Sequence, residues 1–148
     1  MPDHAGTGTL LAFDFGVERI GVAVGETMLG QARALAVIAA PDNDTRFARI
    51  GKLIEKWQAQ RLVVGLPLAV DGSEHEMSAR CRRFAQQLEG RFGLPVALVD
   101  ERYSATEAEA RLAERGLSWQ ARKSEVDALA AQIILQDYLD ARLTTHAA

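Results

Sequence analysis

The sequence predicts an α/β fold in which a mixed sheet of five strands carries helices on both faces. Three observations favour this fold. The first forty residues contain three apolar, strand-like segments joined by short polar turns, as in antiparallel hairpins. Two later apolar segments alternate with helix patterns, as parallel strands do. The chain has 148 residues, of which 48% are hydrophobic, and this is the size of one ordinary domain.

The five strands are predicted from apolar runs that end at polar or glycine-containing turns. The third run contains Arg33, which is typical of an edge strand. The fourth run is continuously apolar, as expected of a strand buried on both faces. The runs occupy residues 10–13, 20–25, 32–38, 62–65 and 94–99.

Four helices are predicted from capping residues and apolar stripes. Asn43 or Asp44 caps the first, and the Ser73–Glu76 and Ser104–Glu107 spacings predict capping boxes for the next two. Gly116 ends the third helix, and the last helix leads into a polar tail from about residue 144. The core-facing positions are Phe47, Ile50, Leu53, Ile54 and Trp57 in the first helix, Met77, Cys81, Phe84, Leu88 and Phe92 in the second, and Val126, Leu129, Ala130, Ile133 and Ile134 in the last. The outward positions of the first helix are Arg46, Arg49, Lys52 and Glu55.

Composition excludes several classes of protein. Cys81 is the single cysteine, so no internal disulfide forms, and no Cys/His cluster has the spacing of a zinc site. The N-terminus has no signal-peptide pattern, and no apolar run approaches the roughly 20 residues of a membrane span. We therefore expect a cytoplasmic protein. The net charge of −3 argues against a generic basic coat for nucleic acid, although it allows a local basic patch.

Three acidic residues from distant parts of the chain are candidates for chemistry. Asp14 ends the first strand, Glu101 follows the last strand, and Asp127 lies on an apolar helix face. Each has an alternative interpretation: a turn former, a solvated loop charge, and the acidic member of a capping box begun by Ser124. In open α/β sheets the ligand crevice lies beyond the carboxyl ends of the strands, where Asp14 and Glu101 are predicted to lie. The small Ala130 and Ala131 would let the last helix bring Asp127 beside Asp14.

Such a group of acids predicts a metal-dependent hydrolase. Carboxylates that converge repel one another unless a cation lies between them, and hard oxygen ligands select Mg²⁺ or Mn²⁺. Two such ions about 3.5–4 Å apart support phosphoryl transfer. No histidine or cysteine offers competing chemistry, since Cys81 belongs to the apolar stripe and is interpreted as a core residue.

Basic residues supply candidate contacts to phosphates. Arg102, Arg122 and Lys123 are near the acids in the sequence. A second group forms a polar stripe on the second helix, either merely solvated or tracking a nucleic-acid backbone, and consists of Arg80, Arg83, Gln87 and Arg91.

Several motifs in order resemble the YqgF-type bacterial nucleases, also called the RuvX family. The resemblance covers about residues 10–139, nearly the whole chain. It is carried by DFG at 14–16, RIGVAV at 19–24, VVGLP at 63–67 with DG at 71–72, DER at 100–102, and Lys123 through Asp127 to IILQ at 133–136.

The resemblance implies an RNase H-like fold and a single nuclease domain over residues 1–148, with a core from about 9 to 140 and flexible tails. It implies Asp14, Glu101 and Asp127 as catalytic and metal-binding residues. Further nucleic-acid contacts are expected at Gly16, Arg19, Arg102 and Lys123.

The expected activity of such a nuclease is cleavage at the 5′ end of pre-16S rRNA, or alternatively of four-way DNA junctions. Association with the ribosome or the transcription machinery is a further expectation.

The chain departs from this family at two pairs of positions, with Val17-Glu18 in place of Thr-Lys and Ala69-Val70 in place of Asn-Met. Related resolvases also carry an acid at the end of the strand beside the first, where this chain has none. The second carboxylate must therefore come from Glu101.

Two other classes remain open from the sequence. The first hairpin resembles a phosphate loop of actin-like ATPases, but those folds need two such domains. A catalytically weak adaptor for ribosomal or transcription components is the other alternative.

Overall fold

The computed structural model describes residues 8–69, 71–101 and the backbone of 119–147, with side chains of the last helix described over 126–141. The predicted helix opened by Ser104 and ended by Gly116 lies outside the described residues. The described elements are β1 Thr9–Phe15, β2 Arg19–Glu26, β3 Gln31–Ala39, α1 Asn43–Trp57, β4 Arg61–Leu66, α2 Glu76–Phe92, β5 Val96–Asp100 and α3 Trp119–Ala147. The backbone is therefore helical through the polar segment after residue 144. No described helix is long and apolar enough to cross a membrane.

The five strands form one mixed sheet in the order β3-β2-β1-β4-β5. The β1–β2 and β2–β3 pairs are antiparallel, whereas β1–β4 and β4–β5 are parallel. The predicted sheet is thus confirmed, including the edge position of β3. Because β1, β4 and β5 are parallel, their carboxyl ends meet at one edge of the sheet.

Helices cover both faces of this sheet, as predicted. Alternate residues of a strand point to opposite faces. Leu11 and Phe13 of β1 point toward α1 and α2 and join the larger cluster of buried side chains. Leu10 and Ala12 pack under α3, beside Ala131 and Ile134. Asp14 continues the second series, so it is placed on the α3 face.

The helix caps differ from the prediction. Asp42 caps α1, because its backbone is extended and its carboxylate accepts a hydrogen bond from the Thr45 amide at 2.9 Å. Asn43 and Asp44 are already inside the first turn. At α2 the cap is His75, whose Nδ1 accepts from the Met77 amide. Ser73 is not the cap because α2 begins only at Glu76, and the Ser73 hydroxyl and amide donate to Asp71 in the preceding turn.

The outward position predicted for Arg46 is also wrong. Its side chain is only 5% exposed, and its guanidinium donates to the backbone carbonyls of Ala40, Gly16 and Val17. The first turn of α1 packs against the turn between β1 and β2. Carbonyls in such a turn need donors from outside the strand ladder, and Arg46 supplies them.

Candidate active site at the carboxyl edge of the sheet

Asp14 has a glycine on each side across the sheet. Its antiparallel partner in β2 is Gly21. On the other side Phe13 pairs with Val64 of β4, and the residue after Val64 is Gly65. The strands beside Asp14 therefore present no side chains at its level, which leaves space for groups from elsewhere in the chain.

The space above Gly21 is filled by the backbone of α3. A Cβ atom at Gly21 would lie 1.8 Å from the carbonyl oxygen of Asp127, a distance no real contact allows. Ala130 and Ala131, one turn further, are fully buried. The helix thus rests directly on β2, as the small residues predicted, and this close approach brings Asp127 toward Asp14.

The space above Gly65 is filled by Glu101. A Cβ atom at Gly65 would lie 2.7 Å from the carboxyl carbon of Glu101 and 2.5 Å from a methyl carbon of Ile134. The amide of Glu101 donates to the carbonyl of Leu66 at 3.1 Å, which holds the chain after β5 against the end of β4. Glu101 therefore supplies the carboxylate that β4 itself lacks.

A hydrogen bond joins the side chains of Asp14 and Glu101. Burial raises the pKa of Glu101 to about 9, and the neighbouring charge of Asp14 adds to the rise. Burial also raises the pKa of Asp14, to about 6. At neutral pH the two carboxyl groups therefore share a proton.

Asp127 is close enough for its charge to raise the pKa of Asp14, but its carboxylate is paired with Arg19. Its Oδ2 accepts a hydrogen bond from Arg19 Nε at 2.7 Å, and the two side chains form an ion pair. The alternative that Ser124 caps the helix is wrong, because α3 begins at Trp119.

The described residues include no group of three acid, histidine or cysteine side chains placed to hold a metal ion. Asp14 and Glu101 are in contact, and Asp127 is near enough for its charge to act on Asp14 while its side chain pairs with Arg19. The chemistry of this donor set nevertheless fits a hard divalent cation. A buried carboxyl pair that must share a proton is a pair whose charge a cation can neutralise instead.

The other predicted contacts have different outcomes. Gly16 lies in the β1–β2 turn, where a Cβ would be 2.5 Å from the Arg19 carbonyl oxygen. Arg102 lies outside the described residues, and of Lys123 only the helical backbone is described. Cys81 is fully buried, and burial raises the pKa of its thiol to about 12, so it is a core residue.

Sequence reasoning missed Arg46 and the roles of Gly21 and Gly65. A glycine inside a strand pattern is a known sign of close backbone approach, and this signal was available for both glycines. Arg46 gives no comparable signal, because helical spacing places it on the polar side of α1.

Comparisons with known proteins identify the family and the fold of the chain. A family model described as "RuvX: Holliday junction resolvase" matches residues 8–141. A protein of Methylobacillus flagellatus is 54% identical over 142 residues, covering 95% of this chain and 97% of its own length. One of Burkholderia lata is 53% identical over 138 residues, covering 93% and 92%. Both bear the name "Putative pre-16S rRNA nuclease".

Solved structures support the fold. Thermus thermophilus RuvC, in complex with a Holliday junction substrate, superposes with a TM-score of 0.54 at 18% identity, covering 92% of this chain and 96% of RuvC. The RNase H-like fold implied by the resemblance is thereby confirmed. With the family model matching nearly its full length, this chain belongs to the RuvX family.

Proposed function

We propose that this chain is a divalent-metal-dependent endonuclease that cuts structured nucleic acid, with Asp14, Glu101 and Asp127 as its catalytic carboxylates. Its class, a nuclease, follows from the family to which it belongs. The observation that carries the proposal is the hydrogen-bonded Asp14–Glu101 pair at the end of the central strand, with Asp127 held beside it.

Mg²⁺ or Mn²⁺ is the cofactor that these oxygen ligands favour, and we include two ions in the proposal. Asp14 and Glu101 would hold metal, and Asp127 would complete the set after leaving Arg19. Bound there, divalent ions activate water and stabilise the leaving oxygen of a phosphodiester. For this, the Asp14–Glu101 pair must give up its shared proton.

Arg19 contributes through its charge. While it pairs with Asp127, it lowers the net negative charge that an incoming phosphate meets. Once Asp127 turns to the other acids, the Arg19 guanidinium is free to donate to a backbone phosphate. The predicted nucleic-acid contact of Arg19 is consistent with this exchange of partners.

The substrate we favour is the precursor of 16S rRNA, because the relatives that are more than half identical are named for it, and we include cleavage at its 5′ end in the proposal. A four-way DNA junction is the second candidate, supported by the description of the family model. Cytoplasmic location, organisation as a single nuclease domain and association with ribosomes or the transcription machinery belong to the same proposal.

The decisive experiment offers both substrates side by side, with Mg²⁺ or Mn²⁺. We expect Asp14→Asn to lower the cleavage rate by at least about a hundredfold, since positioning metal contributes several kcal/mol to such reactions. Circular dichroism should show an intact fold. Asp44→Asn, which removes an exposed acid from α1, is the matched control and should cleave normally.

Two results would refute the proposal. Undiminished cleavage by Asp14→Asn would show that this group of acids does not take part in the reaction. Purified protein that binds either substrate and never cuts it with any divalent metal would favour the adaptor.

A further inference from the structure

A pocket lies on the face of the sheet opposite the three acids, between the start of α1 and the side of α2. Its volume is about 330 Å³, and Phe15, the residue directly after Asp14, forms part of its lining. Consecutive residues of a strand point to opposite faces. The pocket and the acids therefore open on the same edge of the sheet, one on each face.

The lining of the pocket is positively charged. Three arginines, Arg46, Arg80 and Arg83, contribute to it, and no acidic residue of the described part of the chain does. Arg80 pairs with the exposed Glu76, whereas Arg83 has no carboxylate partner among the described residues. This concentration of positive charge occurs in a chain whose net charge is −3.

Arg46 is the unusual member of this group. It is buried, and its hydrogen-bond acceptors are three neutral carbonyl oxygens. Within the described ranges no carboxylate lies at ion-pair distance from it. Asp42 is near enough for Arg46 to help lower its pKa, but its carboxylate binds Thr45. A buried cation without a direct ion-pair partner is costly, and an anion in the pocket would offset that cost.

The remaining walls are aromatic. The rings of Phe15 and Phe84 lie 4.7 Å apart, and Phe47 packs on Phe84 at 5.8 Å. Phe15 is only partly buried. Arginines beside an accessible aromatic ring suit a nucleotide, because the phosphate meets the guanidinium groups while the base or sugar packs on the ring.

We propose that this arginine pocket binds one backbone phosphate of the nucleic-acid substrate, with the adjoining nucleotide against Phe15. The proposal rests on the nuclease function proposed above and assigns a second contact region to its substrate. A strand that crosses the carboxyl edge of the sheet passes from this pocket to the acids. Arg46 connects the two regions physically, since it also holds the Gly16–Val17 turn that follows β1.

The test compares charge reversals on one helix. Binding of a fluorescent four-way DNA junction and of a small-subunit rRNA precursor fragment is measured in EDTA, where no cleavage occurs, at several salt concentrations. We expect Arg83→Glu and Arg80→Glu each to weaken binding about tenfold and to reduce the salt slope by about one. Arg82→Glu is the matched control, because Arg82 lies on the same helix, outside the pocket, and pairs with Glu74.

Arg82→Glu should weaken binding less than about twofold, since it removes no direct phosphate contact. Equal losses of affinity for Arg82→Glu and Arg83→Glu would show that only general electrostatics is involved, and would overturn the proposed pocket. Unchanged binding by Arg83→Glu would also overturn it, as would a wild-type protein that binds neither nucleic acid. Melting temperatures, measured for all variants, test whether unfolding causes any loss of binding.

The outcome is separable from that of the nuclease proposal. Loss of binding in Arg83→Glu together with normal cleavage by Asp14→Asn would retain the pocket and refute the catalytic acids. Normal binding by Arg83→Glu together with inactive Asp14→Asn would do the reverse.

Discussion

Gly21 and Gly65 stand on either side of Asp14, and in both cases another part of the chain occupies the place of the missing side chain. Glycine inside a strand weakens it, by roughly 0.5–1 kcal/mol relative to alanine. Here each glycine also leaves room for another acidic residue to approach Asp14, Asp127 above Gly21 and Glu101 above Gly65.

Replacing Gly21 tests this at the level of one methyl group. The added Cβ would lie 1.8 Å from the Asp127 carbonyl oxygen. Because the clash is with backbone atoms of α3, no side chain can rotate away to relieve it. We expect Gly21→Ala to lower the free energy of unfolding by about 3 kcal/mol, as overpacking of rigid contacts does. Urea denaturation measures the change.

Gly90 supplies the control for that substitution. It lies inside α2, and a Cβ there would meet nothing within 4 Å. Gly90→Ala should therefore stabilise the protein by about 0.5–1 kcal/mol through helix propensity. A Gly21→Ala variant as stable as the wild type would mean that α3 does not rest on β2.

At the scale of elements, α1 does more than cover the sheet. Its N-terminal turn sends Arg46 into the carbonyls of the β1–β2 turn, directly after the strand that carries Asp14. The planar guanidinium reaches three carbonyl oxygens in different directions. A lysine ammonium offers donors from a single point and cannot replace that fork.

We expect Arg46→Lys to lower the free energy of unfolding by about 2–3 kcal/mol, since it leaves buried carbonyls without donors. Thermal or urea denaturation measures the loss. Arg49→Lys, an exposed change on the same helix, should remain within about 0.5 kcal/mol of the wild type. Equal stability of both variants would contradict the role assigned to Arg46.

The apolar stripes of the helices could be predicted from sequence because burial requires helical spacing, and Phe47, Ile50, Cys81 and Leu88 are indeed buried. The caps could not. A cap depends on which residue is extended just before the helix, and at α2 that residue is His75, two positions after Ser73. The sequence offered a capping box at Ser73, and only the folded turn shows where the helix begins.

At the scale of the whole molecule, the acid pair makes metal-free stability depend on pH. In the unfolded chain Asp14 and Glu101 titrate at ordinary values, whereas burial raises both pKa values in the folded state. Between about pH 4.5 and pH 9 the folded state therefore binds more protons than the unfolded state. Its contribution to stability is present at low pH and is lost as the pH rises through that window.

We expect the free energy of unfolding in EDTA to fall by on the order of 1–3 kcal/mol between pH 6 and pH 9. Mg²⁺ should restore stability at the alkaline end, because it replaces the missing proton. Glu101→Gln should flatten the profile and weaken the effect of Mg²⁺. Denaturation across pH, with and without metal, measures this independently of cleavage, and a flat wild-type profile in EDTA would contradict the buried pair.

The overall fold was predictable because strand and helix periodicities, hairpin turns and alternation of elements all indicate one mixed sheet. The position of Asp14 at the end of the central strand was predictable from the apolar run that precedes it. The contact between Arg19 and Asp127 was not, because it joins residues 108 positions apart and depends on how α3 sits on the sheet. The grouping of Arg46 with Arg80 and Arg83 likewise appears only when two helices pack side by side.

The contact of Asp127 with Gly21 also means that the site can be completed only late in the synthesis of the chain. Strand β2 emerges from the ribosome early in translation, whereas the helix that rests on it is the last of the described elements to be made. Until that helix docks, Asp14 has only part of its acidic surroundings. On the catalytic role that we propose for the three acids, a nascent chain is inactive until this helix has docked on β2.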